Sequence, residues 1–300
     1  MEITTPPPLP ALYKPKDSVY LSETEDNSIR LGIQGAPFSG KTTAALTFPN
    51  PVIISFDKKI SAHLHRTDVP LIPFYNPAFV DTIIKRSGTQ APPETKDAII
   101  KWLQTEGLKL SHEQTLLVDG LTGIEDCFHI WYKYNENELA LSKKGEFNKF
   151  VQWDLKKVFF TELWNAFKAM SCDIVMVTHE QDDRNKDGSY NGKIKPLLTG
   201  QAADKMCCNF TDWVRQLVIS KPKDEESLTK ITAKYGVSKA TVKEWCDATP
   251  TEYVFIHLWQ TQGDDILDGG CSSLENTPKF ILSNYKTLLR YKKNKTNKTQ

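Results

Sequence analysis

The eight residues GAPFSGKT, 35–42, constrain the fold more than any other stretch of the chain. They follow the apolar run SIRLGIQ, 28–34, and precede TAALTF, 43–48. Gly35 and Gly40 permit backbone torsions that larger residues resist. Consecutive N–H groups of such a loop can then turn inward around an anion, and the following helix adds its positive end. Lys41 is placed to reach the outer phosphates of a nucleotide, and the Thr42 hydroxyl to ligate Mg²⁺. The expected phosphate cradle is therefore Gly35, Ala36, Pro37, Phe38, Ser39, Gly40, Lys41, Thr42 and Thr43, holding ATP with Mg²⁺.

Two later apolar runs end in polar residues. TLLVDG, 115–120, presents Asp119, a second Mg²⁺-supporting oxygen ligand beside Thr42. CDIVMVTHEQ, 172–181, ends in Thr178, His179, Glu180 and Gln181, where a side chain can sense the terminal phosphate. His179 and Gln181 are the preferred pair, and with Lys41 and Asp119 they form the expected catalytic set. Continuous apolar strands alternating with helices imply a parallel sheet covered on both faces. Ligands of such sheets bind at the carboxyl ends of the strands, so one pocket can collect all three motifs. PVIISFD, 51–57, reads as a further strand, 97–110 as a helix with Ile99, Ile100, Leu103 and Leu108 on its apolar side, and 150–170 as another. Residues 127–150 read as a long polar-aromatic stretch, 182–193 as a flexible loop, and 212–220 and 252–260 as late strands.

The formal net charge of +1 over 300 residues excludes a polycation, so nucleic-acid binding would depend on local patches. No run of 18 apolar residues is present, which predicts no transmembrane helix, and the opening residues lack the pattern of a signal peptide. Six cysteines without C-x-x-C spacing read as reduced thiols, and a cytoplasmic location is expected, that of the host cell if the chain is phage-encoded. The expected organisation is a Pro-rich arm at 1–25, an α/β ATPase core at 26–220, a helical insert at 221–250, strands completing the core at 251–290, and a basic tail at 291–300.

The segments GAPFSGKTTAALTFPNPVIISFD, IPFYNPAFVD, TLLVDGLTGIED, DIVMVTHEQ and KIKPLLTGQAADKM resemble the RecA-like P-loop ATPases, and more closely the phage nucleotide-binding proteins of that superfamily, which include RadB-related single-strand annealing proteins. The resemblance covers roughly 28–220 and 252–291. It implies a RecA-like core with a mostly parallel sheet, homo-oligomerisation in a ring or filament, single-stranded DNA as partner, and no membrane. It also implies two DNA-contacting loops. The first would be 132–149, carrying Lys143 and Lys144; the second would be 182–195, carrying Arg184, Lys186, Lys193 and Lys195. One departure stands out. The glutamate that activates water in such enzymes follows the second strand, where this chain reads SFDKKIS; Asp57 or Glu180 would have to substitute. The functional expectation is an ATP-binding protein that binds single-stranded DNA and promotes annealing or recombination. The alternatives are a nucleotide-switched loading factor with little turnover, or a helicase-type or packaging-type motor using Arg184 or Arg215 as a finger.

The insert adds LTKITAKYGVSKATVKEW, 228–245, which reads like a helix-turn-helix. Gly236 would make the turn, Ser238 would cap the second helix, and Val237, Val242 and Trp245 would pack the pair.

Overall fold

The computed structural model describes residues 28–56, 66–81, 89–139, 150–185, 187–199, 209–264 and 277–296. Lys143, Lys144, Lys186 and Asp57 lie outside them. Among the described residues nine strands form one sheet: β1 (Arg30–Gly35), β2 (Pro51–Ser55), β3 (Leu71–Pro73), β4 (Thr115–Asp119), β5 (Asp173–Arg184), β6 (Tyr190–Pro196), β7 (Asp212–Ser220), β8 (Phe255–Gln260) and β9 (Phe280–Leu282). The order is β3-β2-β4-β5-β1-β7-β8-β9, with β6 paired to the outer half of β5. Pairing is parallel from β3 to β7 and antiparallel at β7–β8, β8–β9 and β5–β6. The α/β, mostly parallel sheet expected from the sequence is therefore present, with an antiparallel edge.

Seven α-helices stand among the described residues: α1 (Lys41–Ala45), α2 (Thr95–Thr105), α3 (Leu121–Leu139), α4 (Val151–Lys168), α5 (Glu225–Tyr235), α6 (Lys239–Asp247) and α7 (Tyr285–Thr296). Helices α2, α3 and α4 cover one sheet face through Ile99, Leu103, Phe128, Phe159 and Leu163. Helices α1 and α7 cover the other through Ala44, Ala45 and Leu288. Both faces are thus covered, which is why β1, β2, β4 and the first half of β5 are buried at successive rather than alternate positions. Gly32 sits in the central strand because a Cβ there would lie 2.0 Å from the Trp213 ring. The indole takes that space and donates from Nε1 to Gln34 Oε1 at 2.8 Å.

Three expectations are corrected. Residues 121–139 are one helix, so the first half of the supposed loop at 132–149 is helical. Its buried residues include Glu125, and a carboxylate at a core position hides the periodicity. Residues 182–193 are not a flexible loop but the outer part of a β-hairpin made by β5 and β6. Both of its faces are largely exposed, so no apolar alternation marked it as strand. Leu108 is exposed rather than on the buried side, because the helix ends at Thr105 and a 3₁₀ turn, Gly107–Lys109, follows. The basic C-terminal segment is helical through Thr296.

The insert forms two helices. Asp224 and Ser227 make a reciprocal N-terminal capping box for α5, Gly236 ends that helix at φ 63°, and Ser238 accepts from Thr241 N to cap α6. Leu228, Val242 and Trp245 close a small core against Ile219, Ile256, Leu258 and Phe280. The insert is therefore packed on the β7–β8–β9 end of the sheet.

Candidate nucleotide site

Parallel register brings the motif residues to one edge. Gly35 pairs with His179 on one side and Gln216 on the other, while Asp119 lies level with Val177, at the ends of β1, β5, β7 and β4. Gly40 holds φ 82°, and Phe38 holds the left-handed φ 61° that a bulky side chain adopts only under constraint. Ser39 N donates to Ala36 O at 3.3 Å, and Ala44 N to Gly40 O at 2.9 Å, so loop and helix start as one unit.

Lys41 is buried, and its Nζ donates to Gly35 O at 2.9 Å and Ala36 O at 2.7 Å, with His179 Nδ1 at 3.5 Å. Burial lowers its pKa to about 8, partly opposed by the charges of Glu180 and Asp119. The Thr42 hydroxyl donates to Asp119 Oδ1 at 3.1 Å. A hydroxyl and a carboxylate oxygen thus converge beside the lysine, the hard-oxygen set that Mg²⁺ takes with phosphates. The residues present fit that ion, Thr42 and Asp119 being those that would hold it. Thr43 is exposed on the first turn of α1.

The residues after β5's buried half diverge. His179 faces Lys41. Glu180 is gripped by Arg215, whose Nε and a terminal nitrogen donate to its two oxygens at 2.9 and 3.0 Å. Gln181 donates to Pro196 O at 3.1 Å and Leu198 O at 3.0 Å, which ties the return of the hairpin rather than facing the lysine. Of the cations expected to meet DNA, Arg184 bonds Gly188 O at 3.0 Å within the hairpin turn, Lys195 pairs with Asp183 at 2.6 Å, and Lys193 lies on β6 between them.

Sequence reasoning missed two groups. His257, on β8, contacts Ser39 O through Nδ1 at 3.0 Å and stands where a Cβ on Gly40 would fall. Nothing local marks it, since only the β7–β8 pairing carries it 218 residues back to the loop. The second is a buried cluster just behind the site. Lys156 bonds Glu125 and also Thr199 O at 2.8 Å and Thr199 Oγ1 at 2.6 Å, while Thr199 N donates to Glu125 Oε1 at 3.0 Å. Burial raises the Glu125 pKa, but the bonds from His129, Lys156 and Thr199 outweigh it and hold the carboxyl down at about 2.

No curated protein matches this chain. A family model described as an AAA domain matches residues 27–250, a span that contains the phosphate loop, Asp119, His179 and the whole insert. With that match across most of its length, and with the lysine, hydroxyl and carboxylate gathered at one sheet edge, the chain belongs to the AAA-domain family of P-loop ATPases.

Proposed function

We propose that this ATPase domain binds ATP with Mg²⁺ and uses the nucleotide to control binding of single-stranded DNA in annealing or recombination, acting as a homo-oligomer. One observation carries the reading. Strand β5 runs without a break from His179, 3.5 Å from the phosphate-loop lysine, into the β5–β6 hairpin that bears Arg184, Lys193, Lys195 and the exposed Tyr190. Cations on such an arm neutralise backbone phosphates, and an exposed ring stacks a base. A change at the phosphate end of β5 therefore has a direct covalent route to a DNA-binding arm.

In this reading the loop N–H groups and Lys41 orient the phosphates, and Thr42 and Asp119 hold the ion. Bound Mg²⁺ would neutralise charge on the transferred phosphoryl group. His179 would sit against the terminal phosphate and report its presence along β5. A second reading, a nucleotide-switched loading factor with little turnover, is favoured by the state of Glu180. That carboxylate is the described substitute for the missing glutamate, and both its oxygens are engaged by Arg215.

The test is ATP hydrolysis alone, with single-stranded DNA and with duplex, using Lys41→Ala as the blank. Strong stimulation by single strands, absent in the variant, supports the annealing ATPase. ATP-dependent strand binding with unchanged slow turnover supports the switch. DNA binding that ignores nucleotide would sink both.

A further inference from the structure

The two helices of the insert have the spacing of a helix-turn-helix. Helix α5 ends at Tyr235, Gly236, Val237 and Ser238 make the turn, and α6 starts at Lys239. Such pairs are joined by three or four residues, often including glycine. Val237 N donates to Thr232 O at 3.2 Å and closes the turn. Two short helices alone bury too little apolar surface to hold a fixed angle. Here the end of the sheet takes the place of a third helix, since Leu228, Val242 and Trp245 are buried against Ile219, Ile256, Leu258 and Phe280.

That packing decides which face of α6 is left to solvent. Val242 and Trp245 are buried, while Lys239, Ala240 and Lys243 form an exposed row. Glu244 and Asp247 follow, so the cationic part is the N-terminal half of the helix. In docked pairs of this kind, that half of the second helix reaches the base edges. Ala240, between the two lysines, is small enough for close approach to a groove and for contact with a thymine methyl. Beside α6 runs α7, YKTLLRYKKNKT, which contains no acid and exposes Lys286 and Arg290. Arg290 comes within 3.9 Å of Glu244, so α6 and α7 present one continuous surface. The ion pairs Arg290–Glu244 and Lys239–Glu225 join side chains that are at least half exposed. Such pairs hold little, and a phosphate can displace either acid.

We propose that the insert binds duplex DNA, with the first half of α6 in the major groove and α7 on the backbone beside it. The groove, about 12 Å wide, admits one helix. Phosphate contacts from α7 set the register, and Lys239, Ala240 and Lys243 meet the base edges. This surface is built on β7, β8 and β9, whereas the arm assigned above to single strands leaves from β5, so the two are separate and the duplex surface does not rest on the arm. In the annealing reading, the arm holds the substrate strands and the insert holds their product.

The test measures affinity of the full chain, with ATP and Mg²⁺ present, for a mixed-sequence duplex of roughly 30 base pairs, about three helical turns, and for one of its strands alone. Fluorescence anisotropy over a salt series gives both affinity and salt slope. The variants are Lys243→Glu on α6, Arg290→Glu on α7, and Lys101→Glu on α2 as a control with the same charge change elsewhere on the surface. All three side chains are exposed, so an unchanged urea midpoint is expected. Duplex affinity should fall about tenfold in Lys243→Glu and in Arg290→Glu, with the salt slope smaller by about one in each. The control should match the wild type, and single-strand affinity should be the same in all. Four results would overturn the proposal: a wild type that does not bind duplex, insert variants that bind it as the wild type does, a control weakened as much as they are, or single-strand affinity lost in step with duplex affinity. A changed sedimenting mass in Lys243→Glu and Arg290→Glu with duplex affinity intact would make the face a contact between copies of the chain, and the proposal would fail.

Discussion

Two lysines are buried to nearly the same depth, Lys41 at 5% exposure and Lys156 at 4%, and they are partnered in opposite ways. Lys156 has a carboxylate, a carbonyl and a hydroxyl around one ammonium group, and its partner Glu125 is further bonded by Thr199 N and approached by His129 at 3.5 Å. Lys41 has two loop carbonyls and, at 3.5 Å, the His179 ring nitrogen close by, with Asp119 and Glu180 acting on it through charge. A buried charge that is fully paired and hydrogen-bonded holds elements together. One left without a bonded carboxylate is destabilised until an anion arrives. The difference separates a cation that fastens α3 and α4 to the Thr199 segment from one poised to receive phosphate.

The largest effect that would break the comparison is expected at Glu125. Glu125→Ala strands the Lys156 charge in the core and should cost about 3–5 kcal/mol, read as a fall in urea midpoint. A loss below about 1 kcal/mol would mean the cluster is solvated and the contrast empty. Next comes Lys41→Ala. It should weaken ATP binding about a hundredfold, since a charged hydrogen-bonding group on the phosphates is worth roughly 3 kcal/mol. Its stability should stay within about 1 kcal/mol of wild type, because no buried carboxylate is left behind. Calorimetry and denaturation together check both halves.

The two sites should also answer pH in opposite ranges. Glu125, held at about 2 against an ordinary 4.5, contributes stability that is fully present above pH 4.5 and is lost as pH falls toward 2. Lys41, lowered to about 8, loses its charge as pH rises through that value, so ATP affinity should decline between pH 7 and 9 while the fold gains rather than loses stability. Flat affinity across that interval would place the lysine in water. The smallest expected effect is at Asp119. Its charge raises the Lys41 pKa, so Asp119→Asn should move the affinity midpoint to lower pH, in addition to weakening the Mg²⁺ requirement.

The Lys41 half of this contrast was legible in the sequence and the Lys156 half was not, for a physical reason. The phosphate loop is local: eight consecutive residues specify its turns, its lysine and its hydroxyl. Asp119 and His179 were readable because each ends an apolar run, and parallel strands deliver their ends to one edge. The insert was readable through its caps, Ser238 and Gly236, which act within a few residues. Glu125, Lys156 and Thr199 carry no such mark. A glutamate and a lysine 31 residues apart on two helices look like solvated surface until the helices pack. The β5–β6 hairpin escaped for the reverse reason: it has no core face, so DDRNKDGSYNGK shows turn chemistry and no alternation.

The contact between His257 and Ser39 spans 218 residues and fixes an order of events during synthesis. At roughly 5–20 residues per second, the phosphate loop leaves the ribosome about 10–40 s before the histidine that braces it is made. During that interval β1 gains β5 and then β7, while β8, which pairs with β7 and carries the histidine, comes after both. Assembly of the loop is therefore among the last steps of maturation. A nascent chain halted at residue 250 would contain the whole motif and the whole insert, yet lack β8, the strand that seals β7 and steadies the loop.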